Sequence, residues 1–150
     1  MNPTELQHYL HAHIPLSHAM SVSVVSVESE SVTLSAPLQP NINHRETVFG
    51  GSASALAILA AWCLIQTRLS TEGIAARLVI QENTMHYDKP IAGEFLAVSQ
   101  LDDPQGWERL KTMLRRKGKA RISVRSELAY RGQVAGRFKG EFVAIGGSGA

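Results

Sequence analysis

Cysteine is almost absent from this chain. Cys63 stands alone, so neither a disulfide framework nor a cysteine-built metal site can form within one molecule. Aromatic residues are scarce at 6%, and only Trp107 lies near the main run of cations at 109–121, so no nucleic-acid partner is expected. An excess of one charge is also lacking. Fifteen Lys and Arg against 13 Asp and Glu leave +2, far from a histone-type DNA coat. Long apolar runs are missing. The longest, residues 53–65, contains Ser54 and falls short of the roughly 18 to 20 residues that cross a bilayer. The opening Met1-Asn2-Pro3-Thr4-Glu5 has no basic region followed by an apolar stretch. The expectation is a cytoplasmic protein with no membrane partner.

What remains is a globular composition. Hydrophobic residues make up 44% and charged residues 19% of 150 positions, which suits one domain over residues 1–150 with its own core. Residues 4–13 predict a short helix capped by Thr4, with Leu6, Tyr9 and Leu10 on one face and Pro15 as its stop. Met20, Val22 and Val24 alternate, and so do Val32, Leu34 and Ala36 beyond a polar break, which reads as two strands around a tight turn. Residues 37–51 have no period and read as a loop. Residues 52–69 predict a helix that is apolar all round, and therefore buried on all sides. Four strands follow at 77–88, 94–101, 120–130 and 133–145. In the third, Ile122, Val124, Leu128 and Tyr130 face one way, and Val134, Phe138 and Phe142 continue that face beyond the Arg131-Gly132 turn. Residues 105–117 read as an amphipathic helix with Trp107, Leu110, Met113 and Leu114 inside, and residues 146–150 as a flexible tail. This order fits an α+β architecture, an antiparallel sheet curled around one buried helix. Its edge strands need cover, so a homodimer or a dimer of dimers is expected.

The chemically dense segment is Asn41-Ile42-Asn43-His44-Arg45-Glu46-Thr47-Val48-Phe49-Gly50-Gly51-Ser52. It gathers polar side chains and two glycines before the first turn of the buried helix, whose N–H groups lack internal partners and carry partial positive charge. Such a start can form an oxyanion hole. The plainer alternative is a capped helix start, with Ser52 as the cap and Gly50-Gly51 as the turn.

Asn43-His44, Thr47 and Phe49-Gly50-Gly51-Ser52, before a long apolar helix, resemble the hot-dog fold family of thioesterases. More narrowly, they resemble its branch of small bacterial domains, some fused behind an acetyltransferase domain. Tyr87-Asp88-Lys89-Pro90-Ile91-Ala92-Gly93 is similar to a strand-end Tyr-x-x-Pro-x-x-Gly pattern of hot-dog enzymes. The resemblance implies a hot-dog fold and an acyl-thioester substrate carried on coenzyme A or on the phosphopantetheine of an acyl carrier protein, with no cofactor of the protein's own. It also implies a pocket between subunits, where residues 43–51 face Asn83 and Tyr87 of the partner chain. The narrower branch is associated with decarboxylation of malonyl-acyl carrier protein, which primes fatty acid synthesis.

Two departures bear on the chemistry. Hot-dog thioesterases commonly have His-Gly-Gly at the helix start, where this chain has Phe49. They also carry an acid about two turns into the helix, where this chain has Leu56-Ala57-Ile58-Leu59-Ala60. Hydrolysis needs an activated water, and decarboxylation does not. The favoured reading is therefore malonyl decarboxylation. Gly51 and Asn43 would stabilise the enolate, and Glu46 or His44 would deliver the proton. Arg45, Thr47, Phe49, Gly50, Ser52, Asn83 and Tyr87 complete the candidate site, with Arg45 either positioning substrate or fixing the loop. A thioesterase using Glu46 as base, and a non-catalytic thioester-binding module, remain open.

Two clusters lie outside that segment. Residues 109–121 hold seven of the 15 basic residues without an interrupting acid. Arg115, Arg116, Lys117 and Lys119 are candidates for docking coenzyme A phosphates or an acidic carrier protein, against the alternative of a solvated helix face. His8, His11, His13 and His18 lack a carboxylate or Cys at ligand spacing, so no metal is expected there.

Overall fold

The computed structural model describes residues 1–146. The elements run α1 (Pro3–His13), α2 (Pro15–Ala19), β1 (Ser23–Val27), β2 (Val32–Ala36), α3 (Gly50–Thr71), β3 (Ala76–Tyr87), β4 (Phe95–Leu101), α4 (Gly106–Lys117), β5 (Lys119–Tyr130) and β6 (Gln133–Gly146). One antiparallel sheet in the order β1-β2-β4-β5-β6-β3 wraps around α3. This is the expected hot-dog arrangement. Of the expected tail, Gly146 closes β6, and residues 147–150 lie outside the described residues.

α3 forms because Ala and Leu dominate it and no Pro interrupts it. It is long and apolar enough by length and composition to cross a membrane, yet here it is the core helix, with Leu56, Ala57, Ala60, Ala61, Cys63, Leu64 and Ile65 wholly inaccessible. Phe95 and Phe142 meet it from the sheet, and Ser126 donates its hydroxyl to the Ala57 carbonyl at 2.9 Å. Burial pushes the Cys63 thiol pKa far up, so the thiol stays protonated. Burial on all sides is not what the structure shows. Ala55, Ile58, Trp62 and Gln66 form a half-buried stripe at helical spacing.

Four local expectations also change. Asn2, not Thr4, caps α1, through a reciprocal pairing with Glu5. Gly50 and Gly51 belong to α3 itself, so they are not a turn and Ser52 is not its cap; Phe49 holds the cap position with no side-chain bond. Met113 is 42% exposed, because the inner face of α4 is set by Trp107, Leu110 and Leu114. Val134 points outward, because β6 pairs Ala129 with Val134 and Leu128 with Gly136, leaving Ala135 as an extra residue that flips the face.

The two ends of α3 are finished differently. Its C-terminus closes in a Schellman turn. Gly73 takes φ +68°, Gly73 N–H reaches the Ser70 carbonyl at 3.1 Å and Ile74 N–H the Leu69 carbonyl at 2.9 Å. Glu72 accepts from Trp107 Nε1 at 2.5 Å and Lys111 Nζ at 2.9 Å, while Arg68 lies 4.4 Å above the Trp107 ring.

Candidate active site

The N-terminal end of α3 is approached through a five-residue hairpin turn. Ile42 and Val48 bridge, and Asn43 N–H donates to the Thr47 carbonyl at 2.8 Å. The Asn43 side chain closes the turn from inside. Its Oδ1 accepts from the N–H groups of Arg45 (2.8 Å) and Thr47 (3.1 Å), and its Nδ2 donates to Thr47 Oγ1 at 2.9 Å and to the Val48 carbonyl at 3.4 Å. Glu46 holds φ +63°, the left-handed conformation such turns usually give to Gly or Asn. The tip side chains of His44, Arg45 and Glu46 are exposed and bond to no described residue.

The hairpin is anchored behind its tip. Val48 N–H donates to the Ile91 carbonyl and Phe49 N–H to the Asn41 carbonyl, both at 2.8 Å. Asn41 is itself buried, donating to the carbonyls of Met20 (3.0 Å) and Pro37 (2.8 Å). Sequence reasoning missed Asn41 as the loop's anchor, because its partners are backbone carbonyls, one of them 21 residues away at Met20.

Helical bonding begins only at Ala53 N–H, which reaches the Phe49 carbonyl at 3.0 Å. The N–H groups of Gly50, Gly51 and Ser52 have no hydrogen-bond partner among the described residues. Two exposed aromatic rings flank them. Phe49 folds over Gly51 so closely that a Cβ there would lie 2.4 Å from its ring. Tyr87 lies against Gly50, 3.5 Å from where a Cβ would stand. A cleft of about 270 Å³ opens beside them, lined by Val48, Gly50, Ala53, Tyr87, Ile91 and Leu128 among others. Tyr87 thus meets the helix start of its own chain. Asn83 shares the helix-side face of β3 with Tyr87, opposite Gly140 and Gly136 of β6, and is exposed.

The remaining candidates are elsewhere. Arg109 and Lys111 are neutralised, by Asp103 at 2.6 Å and by Glu72 and Glu108 at 2.9 and 3.1 Å. Arg115, Arg116, Lys117 and Lys119 are exposed with no ion pair among the described residues, at the end of the fold away from Gly50. His11 and His13 bind the carbonyls of Val22 and Tyr9. A larger hollow, about 540 Å³, lies on the outer sheet face between His86, Arg125, Arg137 and Lys139. Its cations are already paired, Arg137 with Asp88 and both Arg125 and Lys139 with Asp102, so the smaller cleft with its unpaired N–H groups is the better site.

Residues 3–146 match the model of a protein family described as "Putative thioesterase (yiiD_Cterm)". The chain belongs to that family. Among crystal structures, a protein of unknown function from Chlorobaculum tepidum TLS is similar to this YiiD C-terminal family member at 28% identity and TM-score 0.90, over 97% of this chain and 94% of that one. A "putative thioesterase" from Shewanella oneidensis is similar at 24% identity and TM-score 0.85, over 95% and 96% of the two chains. A Pseudomonas aeruginosa protein described as a "probable thioesterase" is similar at 23% and 0.82, over 97% of each. The latter two show the shared fold.

Proposed function

We propose that the protein is an acyl-thioester hydrolase. The observation that carries this is the uncapped start of α3, beside a cleft of about 270 Å³ lined by Gly50, Ala53 and Tyr87. Membership of the thioesterase family turns the balance from decarboxylation to hydrolysis. The acyl chain occupies the cleft, and the carbonyl oxygen sits on the N–H groups of Gly51 and Ser52. Those donors strengthen as the oxygen becomes negative, which lowers the barrier rather than merely tightening substrate binding. Water attacks the carbonyl carbon, its proton passes to Glu46, the C–S bond breaks, and the thiolate leaves to be protonated. A free acid and a thiol result. Glu46 is assigned because its exposed, strained position at the hairpin tip is the pattern of a functional loop residue. Asn43 holds the loop, since its amide hydrogens are already engaged. Arg45 and His44 sit beside Glu46 and orient the thioester handle.

Decarboxylation stays as a second reading for one reason. Gly50–Ala60, the first three turns of α3, bear no carboxylate to activate water. In that reaction the malonyl carboxylate leaves as carbon dioxide, and its electron pair forms an enolate held by the same N–H groups. Glu46 or His44 then protonates the carbon. Incubation with acyl and malonyl thioesters, followed by mass spectrometry, separates the readings. Hydrolysis gives free thiol from both, decarboxylation gives acetyl thioester from malonyl only, and unchanged substrate leaves a binding module.

We read the working form as a homodimer, because β3 presents twelve residues of open sheet edge.

A further inference from the structure

The bulge in β6 does more than turn Val134 outward. Leu128 pairs with Gly136 and Ala129 with Val134, so Ala135 is left out of the ladder between them. Its methyl is buried and forms part of the cleft beside the start of α3. Its carbonyl accepts two N–H groups from the segment after β3, Asp88 at 3.0 Å and Lys89 at 3.1 Å. Arg137 of β6 grips the Asp88 carboxylate at 2.8 and 3.1 Å. At the other end of that segment the Ile91 carbonyl accepts the Val48 N–H at 2.8 Å. Residues 88–91 are thus fastened at both ends, and the cleft has walls of set spacing.

The lining changes character with depth. Tyr87 is 59% exposed at the mouth; Val48, Ile91, Ala53 and Ala135 are buried behind it, and Leu128, at 1%, lies deepest. All five buried lining residues are apolar. The two charged lining side chains are engaged at the rim, Asp88 by Arg137 and Lys89 by Gln133 Oε1 at 2.9 Å. A carboxylate pushed into the deep part would lose its water and gain no partner there. Gly136 fixes the floor. A Cβ on it would lie 3.2 Å from Leu128 Cδ1 and 2.9 Å from Met85 Cε, so Leu128 keeps its place because position 136 carries no side chain.

Resting on the hydrolase reading, we propose that Ala135 and Leu128 select the acyl group, and that the group selected is a short, uncharged hydrocarbon chain. Leu128 ends the chain, and the small Ala135 leaves it room. With about 30 Å³ for each water-sized group, the cleft volume suits a chain of about six carbons once its open mouth is left to the thioester and its handle.

The test is a series of pantetheine thioesters bearing acetyl, butyryl, hexanoyl, decanoyl and succinyl groups. For wild type, kcat/KM should climb about fourfold per methylene up to hexanoyl and fall at decanoyl. Succinyl, close to butyryl in length, should be at least about tenfold poorer than butyryl. Ala135→Leu should move the optimum to shorter chains and cut the hexanoyl-to-acetyl ratio at least about tenfold. Leu128→Ala should raise the decanoyl-to-hexanoyl ratio by a similar factor. Because that change leaves a cavity in the core, Leu128→Val serves as the milder step and should shift the same ratio in the same direction by less. An unchanged chain-length profile in folded Ala135→Leu overturns the selection, as does succinyl turned over as fast as butyryl. Binding of S-alkyl-pantetheines, thioethers with no carbonyl to attack, reads chain length without turnover. A length optimum that shifts in Ala135→Leu, with no thioester hydrolysed, sinks the hydrolase reading and leaves the selection standing. Thioesters hydrolysed with one profile in every variant do the reverse.

Discussion

The two ends of α3 are built on opposite principles. At the C-terminal end every device that finishes a helix is present: a left-handed Gly73, two bonds back to the last turn, and Glu72 tied to Trp107 and Lys111. At the N-terminal end those devices are withheld. Phe49 stands where Ser, Thr, Asp or Asn would normally cap, and three N–H groups are left for something else. One end is finished for stability, and the other leaves three donors unengaged, as the proposed oxyanion role requires.

The sharpest way to break that contrast is to cap the open end. Phe49→Asp places a carboxylate where it accepts from the first-turn N–H groups. Helix capping should raise stability by about 1 kcal/mol. The same carboxylate occupies the oxyanion position, so turnover should fall on the order of a hundred- to a thousand-fold. Paired melting and kinetic measurements decide it; a stabler protein with unimpaired turnover would show that the open N–H groups are idle.

The closed end should behave in the converse way. Trp107 is only 2% exposed and bridges α4 to Glu72 and Arg68. Trp107→Ala should lower stability by about 3–5 kcal/mol, as for other buried aromatic truncations. The turnover of the fraction that remains folded should hold. Loss of kcat at temperatures well below melting would couple the two ends.

Asn43 offers a finer test. Asn43→Asp retains the acceptor for the N–H groups of Arg45 and Thr47 and loses only the donors. If the residue fixes the loop, Asp should be milder than Ala, with Ala lowering stability by about 1 kcal/mol. Severe kinetic loss in Asn43→Asp at unchanged melting temperature would return Asn43 to the role of direct donor.

The smallest effect is electrostatic. The hydrogen bond from Lys111, then that from Trp107, holds the Glu72 pKa below the ordinary carboxylate value. A depressed folded-state pKa contributes stability that is complete above the unfolded pKa and fades as pH falls through the folded one. Wild type should therefore lose more stability than Glu72→Gln on acidification below the usual carboxylate range. Equal slopes in denaturation at a series of pH values would remove Glu72 from the account.

Much of the fold is written locally, and the site is not. Alternation in residues 120–130 gives β5, and the uncharged Ala/Leu stretch gives α3, because each needs only a period and a propensity. In the sheet, reading by period fails where one extra residue shifts the register. Ala135 turns Val134 outward, and no propensity announces it. The segment that forms the site stands out in sequence by its density of Asn, His, Arg and Glu. What those residues do there depends on distant partners. Asn43 resembles a free donor until Thr47 and Val48 are seen to engage it. The seven clustered cations resemble one patch until Asp103, Glu72 and Glu108 neutralise two of them.

The solitary thiol of Cys63 gives the protein a built-in clock. It lies at the centre of α3, wholly inaccessible and kept protonated by its surroundings, so a thiol reagent has nothing to attack in the native state. Modification must wait for the sheet to release the helix. The labelling rate therefore counts openings of the whole core, and no engineered probe is needed to follow them.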